Sequence, residues 1–137
     1  MKQILFLVCS LILFSCANTA DTVTEEILLG EYRVIEIDVE QSLENEIIFD
    51  FSPVGNRVSG NTGCNRFSAN YSQQGNNLEF STPMNTRKYC KGKMEVEKQI
   101  LSSLEKASRL DRNGKEIVVY SSNNIPLMTL IKIEHSE

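Results

Sequence analysis

From Ile27 onward apolar and polar positions alternate in short runs broken by Gly, Asn and Pro, the pattern of antiparallel strands joined by tight turns. Tyr32 to Val39 sets Ile35, Ile37 and Val39 on one face, and Glu46 to Phe51 sets Ile47, Phe49 and Phe51 against Glu46 and Asp50. Ser52-Pro53-Val54-Gly55-Asn56 turns the chain into a short strand around Val58. Phe67, Ala69 and Tyr71 share the next face, Gly75-Asn76 turns again, and Leu78 and Phe80 continue the meander. Between Lys93 and Ser108 the period lengthens: Val96, Ile100, Leu104 and Ala107 fall within about 80° of one another on a helical wheel. Leu101 lies at the margin of that stripe, while Glu95, Lys98, Ser102 and Glu105 point elsewhere. Asp111-Arg112-Asn113-Gly114 carries an Asn-Gly hairpin signal leading into Glu116 to Tyr120. Ser121 to Pro126 turns once more, and Leu127 to Ile133 is apolar on both faces, as a central, covered strand would be. Strands, one helix, then strands predict an α+β fold: a mainly antiparallel, curled, barrel-like β-sheet with one α-helix, about residues 93–108, packed on it.

The amino end follows a different pattern. Met1-Lys2-Gln3 is a short basic start, and Ile4 to Phe14 is an apolar run too short for a bilayer-spanning helix, which needs roughly 20 residues, but suited to the h-region of an export signal. It ends in Leu13-Phe14-Ser15-Cys16, which resembles the bacterial lipobox. In that chemistry the Cys16 thiol takes a diacylglyceryl group, a signal peptidase cleaves before it, and the new amino terminus is acylated. Two or three chains anchor stably, since each buried methylene contributes about 0.8 kcal/mol. Cys9 lies within the apolar run and leaves with the signal. Ala17 follows Cys16 where an Asp would resemble an inner-membrane retention signal, so outer-membrane delivery in a two-membrane bacterium is expected. Residues 17–26 are small and polar without apolar periodicity. The expected organisation is a signal peptide over 1–15, a lipidated tether over 16–26 and one domain over 27–137.

Charge adds two exclusions. The whole chain carries 14 Lys plus Arg against 18 Asp plus Glu, one His and four Cys. A net charge of -4 argues against nucleic acid as a partner, which needs a basic face. The lone His135 and two distant Cys do not make a metal site, and no Ser-His, Cys-His or paired-carboxylate constellation appears, so neither catalytic residues nor a cofactor are expected. The balance is uneven, however: residues 16–50 hold one basic and ten acidic side chains, and residues 51–137 hold twelve and eight.

Two stretches remain informative. Val58-Ser59-Gly60 and Gly63-Cys64-Asn65-Arg66-Phe67, then Tyr71, are followed by Thr86-Arg87-Lys88-Tyr89-Cys90 just before the helix. In these motifs and their order the chain resembles the META domain family, the HslJ-like heat-inducible bacterial lipoproteins. It departs in having Tyr32 shortly after Gly30, where the family often has Trp. The resemblance implies a barrel-like antiparallel sheet with one helix, in small envelope proteins associated with stress and antibiotic tolerance, and no established reaction.

With Cys16 lipidated, Cys64 and Cys90 are the thiols left in an oxidising compartment, where a disulfide is the simplest expectation. A reactive thiol is the alternative, since Arg66, Arg87, Lys88 and Lys91 could depress its pKa. Asn65 and Arg66, in a Gly-flanked loop, together with Arg87 are candidate binding residues for an anion or a partner carboxylate. The local alternative has Asn65 fixing the turn and Arg66 covering a sheet edge. Arg87, Lys88, Lys91 and Lys93 form a basic cluster that could meet anionic headgroups. The expected function is that of a non-enzymatic, lipid-anchored binding or stress-tolerance module, with the membrane met through Cys16 and an unidentified protein or small-molecule partner. A small-ligand carrier with a calycin-like barrel, or an inhibitor of a secreted hydrolase, are the alternatives.

Overall fold

The computed structural model describes residues 26–38, 43 and 46–134. The expected signal peptide, Cys16, nearly all of the tether and His135 lie outside the described residues. The strands are β1 (Gly30–Ile37), β2 (Ile48–Ser52), β3 (Arg57–Asn61), β4 (Arg66–Gln74), β5 (Asn77–Phe80), β6 (Met84–Asn85), β7 (Ala107–Asn113), β8 (Glu116–Ser121) and β9 (Pro126–Lys132). The helix α1 spans Met94–Lys106. The sheet order is β3-β2-β1-β9-β8-β7-β5-β4, and pairing of β4 back onto β3 closes these eight antiparallel strands into a barrel, with β6 added outside on β4. The narrowest seam joins β5 to β7 through the pair Asn77 and Arg109, helped by Leu110 N–H donating to Asn76 O at 2.8 Å.

Alternation explains most of the inward face. Phe49 and Phe51 of β2, Phe67, Ala69 and Tyr71 of β4, and Leu78 of β5 are buried. Tyr32 meets Phe51 edge-on at 5.4 Å between ring centres, Phe51 meets Tyr71 at 5.2 Å, and Phe49 meets Phe67 at 4.9 Å. Ring-to-ring packing of this kind fills this part of the interior with side chains. In β9, Leu130 is buried in the interior and Ile131 is half-buried. The α1 stripe of Val96, Ile100 and Leu104 joins the same core and packs against β5, β8 and β9.

Two expectations are corrected. Ile35, read as inward, is exposed, while Tyr32, Val34 and Ile37 are buried. Between Val34 and Glu36 two steps of β1 face one step of β9, from Leu130 to Thr129. Ile35 is thus the extra residue of a β-bulge, and the bulge inverts the facing of everything after it. The helix is also shorter than expected: Ala107 takes extended dihedrals (φ -59, ψ 134) and opens β7 with no intervening loop. Its burial was correctly anticipated, but it is buried as a strand residue. At the β7–β8 hairpin the two loop residues are Gly114 and Lys115, because Asn113 already pairs with Glu116. Gly114 supplies the positive φ (61°) that the first position of such a turn requires.

Candidate functional site

The first motif forms the four-residue connection from β3 to β4, closed by Thr62 N–H donating to Asn65 O at 2.9 Å, with Gly63 at φ 89°. This turn folds Asn65 inward until its side chain is fully buried. Its Oδ1 accepts from Thr86 Oγ1 and from the Lys88 N–H, both at 2.8 Å. Its Nδ2 donates to Lys88 O at 2.9 Å and to the Glu97 carboxylate at 2.9 and 3.0 Å. An amide side chain offers two donors and two acceptor lone pairs, and here all four are engaged. Asn65 therefore has nothing left with which to hold a ligand. Its role is to bind three separated segments together, a longer reach than the local turn-fixing expected of it.

Glu97 sits in the first turn and a half of α1 but is buried. Besides Asn65 it accepts from Thr62 Oγ1 at 2.8 Å and from Asn85 Nδ2 at 3.4 Å. These neighbours are all donors, which is what a carboxylate needs, and each such bond to a charged group contributes about 1.5–3 kcal/mol. The position near the helix amino terminus adds the favourable end of the helix dipole. Lys93, one turn earlier, reaches Gly63 O with Nζ at 3.2 Å and so helps hold the same turn.

Cys64 and Cys90 form a disulfide with their Cα atoms 5.9 Å apart, so the reactive-thiol alternative gives way to a bridge. The bridge runs parallel to the Asn65 contacts: both connect the β3–β4 turn to the segment leading into α1. Two independent ties at one place leave the 86–91 loop little freedom at its base.

What the two motifs leave to solvent lies on the other side. Arg66 and Arg87 are exposed. Arg66 lines an open trough of about 730 Å³ on the outer sheet surface, with Arg57, Ser59, Asn61, Ser68 and Asn85 among its walls. Arg57 lies across it, donating to Ser68 Oγ at 2.9 Å. The trough offers guanidinium, hydroxyl and amide donors at its Arg66 side, while the carboxylates of Glu31 and Asp50 also line it, so it presents both charges to a ligand. Of the candidate residues, then, Arg66 stands in the trough, Arg87 stands on the adjoining loop, and Asn65 is taken into the interior.

Glu97 and Thr62 were not singled out from the sequence. A signal for Glu97 existed: it stands three and seven residues before Ile100 and Leu104, within the apolar stripe, where an unpaired carboxylate would be costly. Thr62 gave no such signal, since a Thr beside a Gly in a turn is ordinary.

The sequence profile of the META domain matches residues 25–132. No curated protein matches the chain. An NMR structure of a protein from Burkholderia xenovorans is similar with a TM-score of 0.62 at 18% identity, covering 77% of this chain and 83% of its own. A second NMR structure is similar with a TM-score of 0.58 at 18% identity, covering 74% of this chain and 87% of its own. At such identity the likeness is one of fold.

Proposed function

Since the chain belongs to the META domain family, we propose that it is a lipid-anchored envelope protein, acylated at Cys16 and delivered to the outer membrane, whose barrel is a non-enzymatic binding module in stress or antibiotic tolerance. The observation that carries the binding reading is the division of the motif residues. The polar atoms of Asn65, Thr62 and Glu97 are engaged internally, while Arg66 is exposed in a trough that it shares with Arg57, Glu31 and Asp50. The anchoring reading is supported by the basic start, the apolar run and the lipobox-like Leu13-Phe14-Ser15-Cys16.

The test is complementation of a deletion strain with the wild-type chain, Cys16→Ser and Arg66→Ala. Cells are fed labelled palmitate, fractionated, and scored for survival under heat and envelope-active antibiotics. Cys16→Ser should lose the label and leave the outer-membrane fraction. Arg66→Ala should stay labelled and anchored but restore survival poorly. Equal labelling of Cys16→Ser would remove the anchor, and full rescue by Arg66→Ala would remove the trough from the function.

A further inference from the structure

The stretch from Phe51 to Met94 carries six basic side chains, Arg57, Arg66, Arg87, Lys88, Lys91 and Lys93, and one acidic one, Glu79. The fold gathers this imbalance at one end of the barrel. Arg66 is fixed beside the 86–91 loop, because its N–H donates to Thr86 Oγ1 at 3.2 Å and its carbonyl accepts from the Thr86 N–H at 3.0 Å. Arg87, Lys88 and Lys91 follow on that loop, all exposed. Elsewhere four cations stand beside acids, Arg33 with Glu46, Arg109 with Asp111, Lys115 with Glu134 and Lys132 with Glu26, while Arg57, Lys98, Lys106 and Arg112 are spread singly without an ion pair among the described residues. Among the described residues, Arg66, Arg87, Lys88 and Lys91 have no carboxylate within ion-pair distance. Like charges crowded without counter-charges repel one another, and an external anionic partner relieves that repulsion.

Two large side chains protrude from the same patch. Tyr89, at the loop tip, is 81% exposed, and Met84 is 71% exposed. An unpaired cationic cluster around an exposed aromatic is the composition of an interfacial membrane anchor, where Tyr sits at headgroup level and Lys and Arg meet the phosphates. We infer that the 86–91 loop with Arg66 is a membrane-contact surface that lays this end of the barrel on anionic phospholipid headgroups. The disulfide and the Asn65 contacts hold the base of the loop, so little conformational freedom is lost on docking.

Geometry permits this in an anchored protein, and only this step rests on the tether reading. Strand β4 carries the patch at its Arg66 end. The amino-terminal segment enters at the other end, where Gln73 holds Glu26 and Leu28. The strand is about 26 Å long at roughly 3.3 Å per residue. Residues 16–26 reach up to about 35 Å, so the tether is long enough for the Arg66 end to turn to the membrane.

The test uses the chain from residue 17, which lacks the acylated Cys16 yet contains every strand, the helix and the bridge. It is pelleted with vesicles of mixed phosphatidylglycerol and phosphatidylcholine, and with pure phosphatidylcholine vesicles. A basic side chain near an anionic surface contributes about 1 kcal/mol, about fivefold in partition. Arg87→Ser with Lys88→Ser should therefore weaken binding to the anionic vesicles about 25-fold, with no binding to the neutral ones. Wild-type binding should collapse at about 1 M salt, where the Debye length is about 3 Å. Tyr89→Ser should weaken binding without changing its salt dependence. Lys106→Ser with Lys115→Ser, which removes the same charge elsewhere, should leave binding unchanged. Equal losses in the two double variants, or no binding of the wild type to anionic vesicles, would overturn the assignment. So would retention of a soluble anionic polysaccharide or acidic protein in place of the vesicles. None of these outcomes bears on acylation, because the tested chain lacks Cys16.

Discussion

Asn65→Asp changes a single atom type and should turn the buried contact with Glu97 from attraction into repulsion. The retained oxygen still accepts from Thr86 Oγ1 and the Lys88 N–H. The amide that donates to Glu97 at 2.9 and 3.0 Å, and to Lys88 O at 2.9 Å, becomes an oxygen. Two charged carboxylates about 3 Å apart repel by about 5 kcal/mol at an effective dielectric of about 20. Uptake of one proton by the pair offers an escape. Keeping a carboxyl of ordinary pKa, about 4, protonated at about pH 7 costs about 4 kcal/mol, at about 1.4 kcal/mol per unit. The cheaper route sets the loss, near 4 kcal/mol, to which the orphaned Lys88 carbonyl adds about 1 kcal/mol. The sign with pH follows: the folded variant holds a proton that the unfolded chain releases, so its stability falls as pH rises. Relative to wild type, acidification from about pH 7 to about pH 5 should restore about 2.7 kcal/mol. Urea unfolding of the oxidised proteins at both pH values, followed by far-ultraviolet circular dichroism because the chain has no Trp, reads the difference. A variant whose deficit is the same at both pH values, or is under about 1 kcal/mol throughout, would refute the contact.

Other outcomes follow from separate features. Cys64→Ser with Cys90→Ser removes a cross-link of sequence separation 26 and should lower stability by about 3.5 kcal/mol on the chain-entropy account, measured by the same unfolding assay. Gly60→Ala would place a Cβ 2.4 Å from Ile48 O and 2.8 Å from Phe67 Cε1. Strand β3 must shift, at about 1–3 kcal/mol, and an unchanged thermal midpoint would contradict the close approach. Burial, and after it the neighbouring Tyr32, raise the Tyr71 pKa above its ordinary value of 10.0. The unfolded chain therefore loses that proton first, so the contribution of Tyr71 is intact below about pH 10 and is lost as pH rises further. A late step in the phenolate absorbance that survives in Tyr71→Phe would contradict this.

The strands were legible wherever alternation ran uninterrupted. β2 shows it plainly: Ile47, Phe49 and Phe51 alternate with Glu46, Ile48 and Asp50, and the first three are buried. β1 misled because Ile35 and Ile37 are both β-branched and properly spaced, and nothing in the residues marks the bulge. The bulge is a property of the pairing with β9, which a local reading does not contain. The end of α1 was hidden likewise, since Ala107 fits the helical stripe and the strand equally well. β6 has two residues, too few for a pattern. In the site, the motifs located the right loops but not the direction in which each side chain points. That direction depends on contacts across 32 residues, from Asn65 to Glu97, and spacing along the chain says nothing of it.

The alternation of direction within the motifs is what allows them to serve fold and surface together. In Gly63-Cys64-Asn65-Arg66-Phe67, Phe67 and Asn65 are buried, Cys64 is bridged, and Arg66 stands outside. In Thr86-Arg87-Lys88-Tyr89-Cys90, Thr86 and Cys90 are tied back to the first motif, while the side chains of Arg87, Lys88 and Tyr89 project. Apolar burial is non-directional, and the stripe of α1 could meet the barrel in more than one register. A buried carboxylate with directed donors from two segments, the β3–β4 turn and β6, penalises the registers that would separate them. The inward set therefore decides where α1 and the 86–91 loop sit, and the outward set is displayed by that decision. Substitutions should separate accordingly. Asn65, Thr62 and Glu97 variants should lose stability first, with binding lost only as far as the loop is released. Arg66, Arg87 and Tyr89 variants should keep the wild-type unfolding midpoint while losing what the surface holds. If outward substitutions lowered stability as much as inward ones, the cationic loop would itself be part of the fold, and its exposure would need another cause.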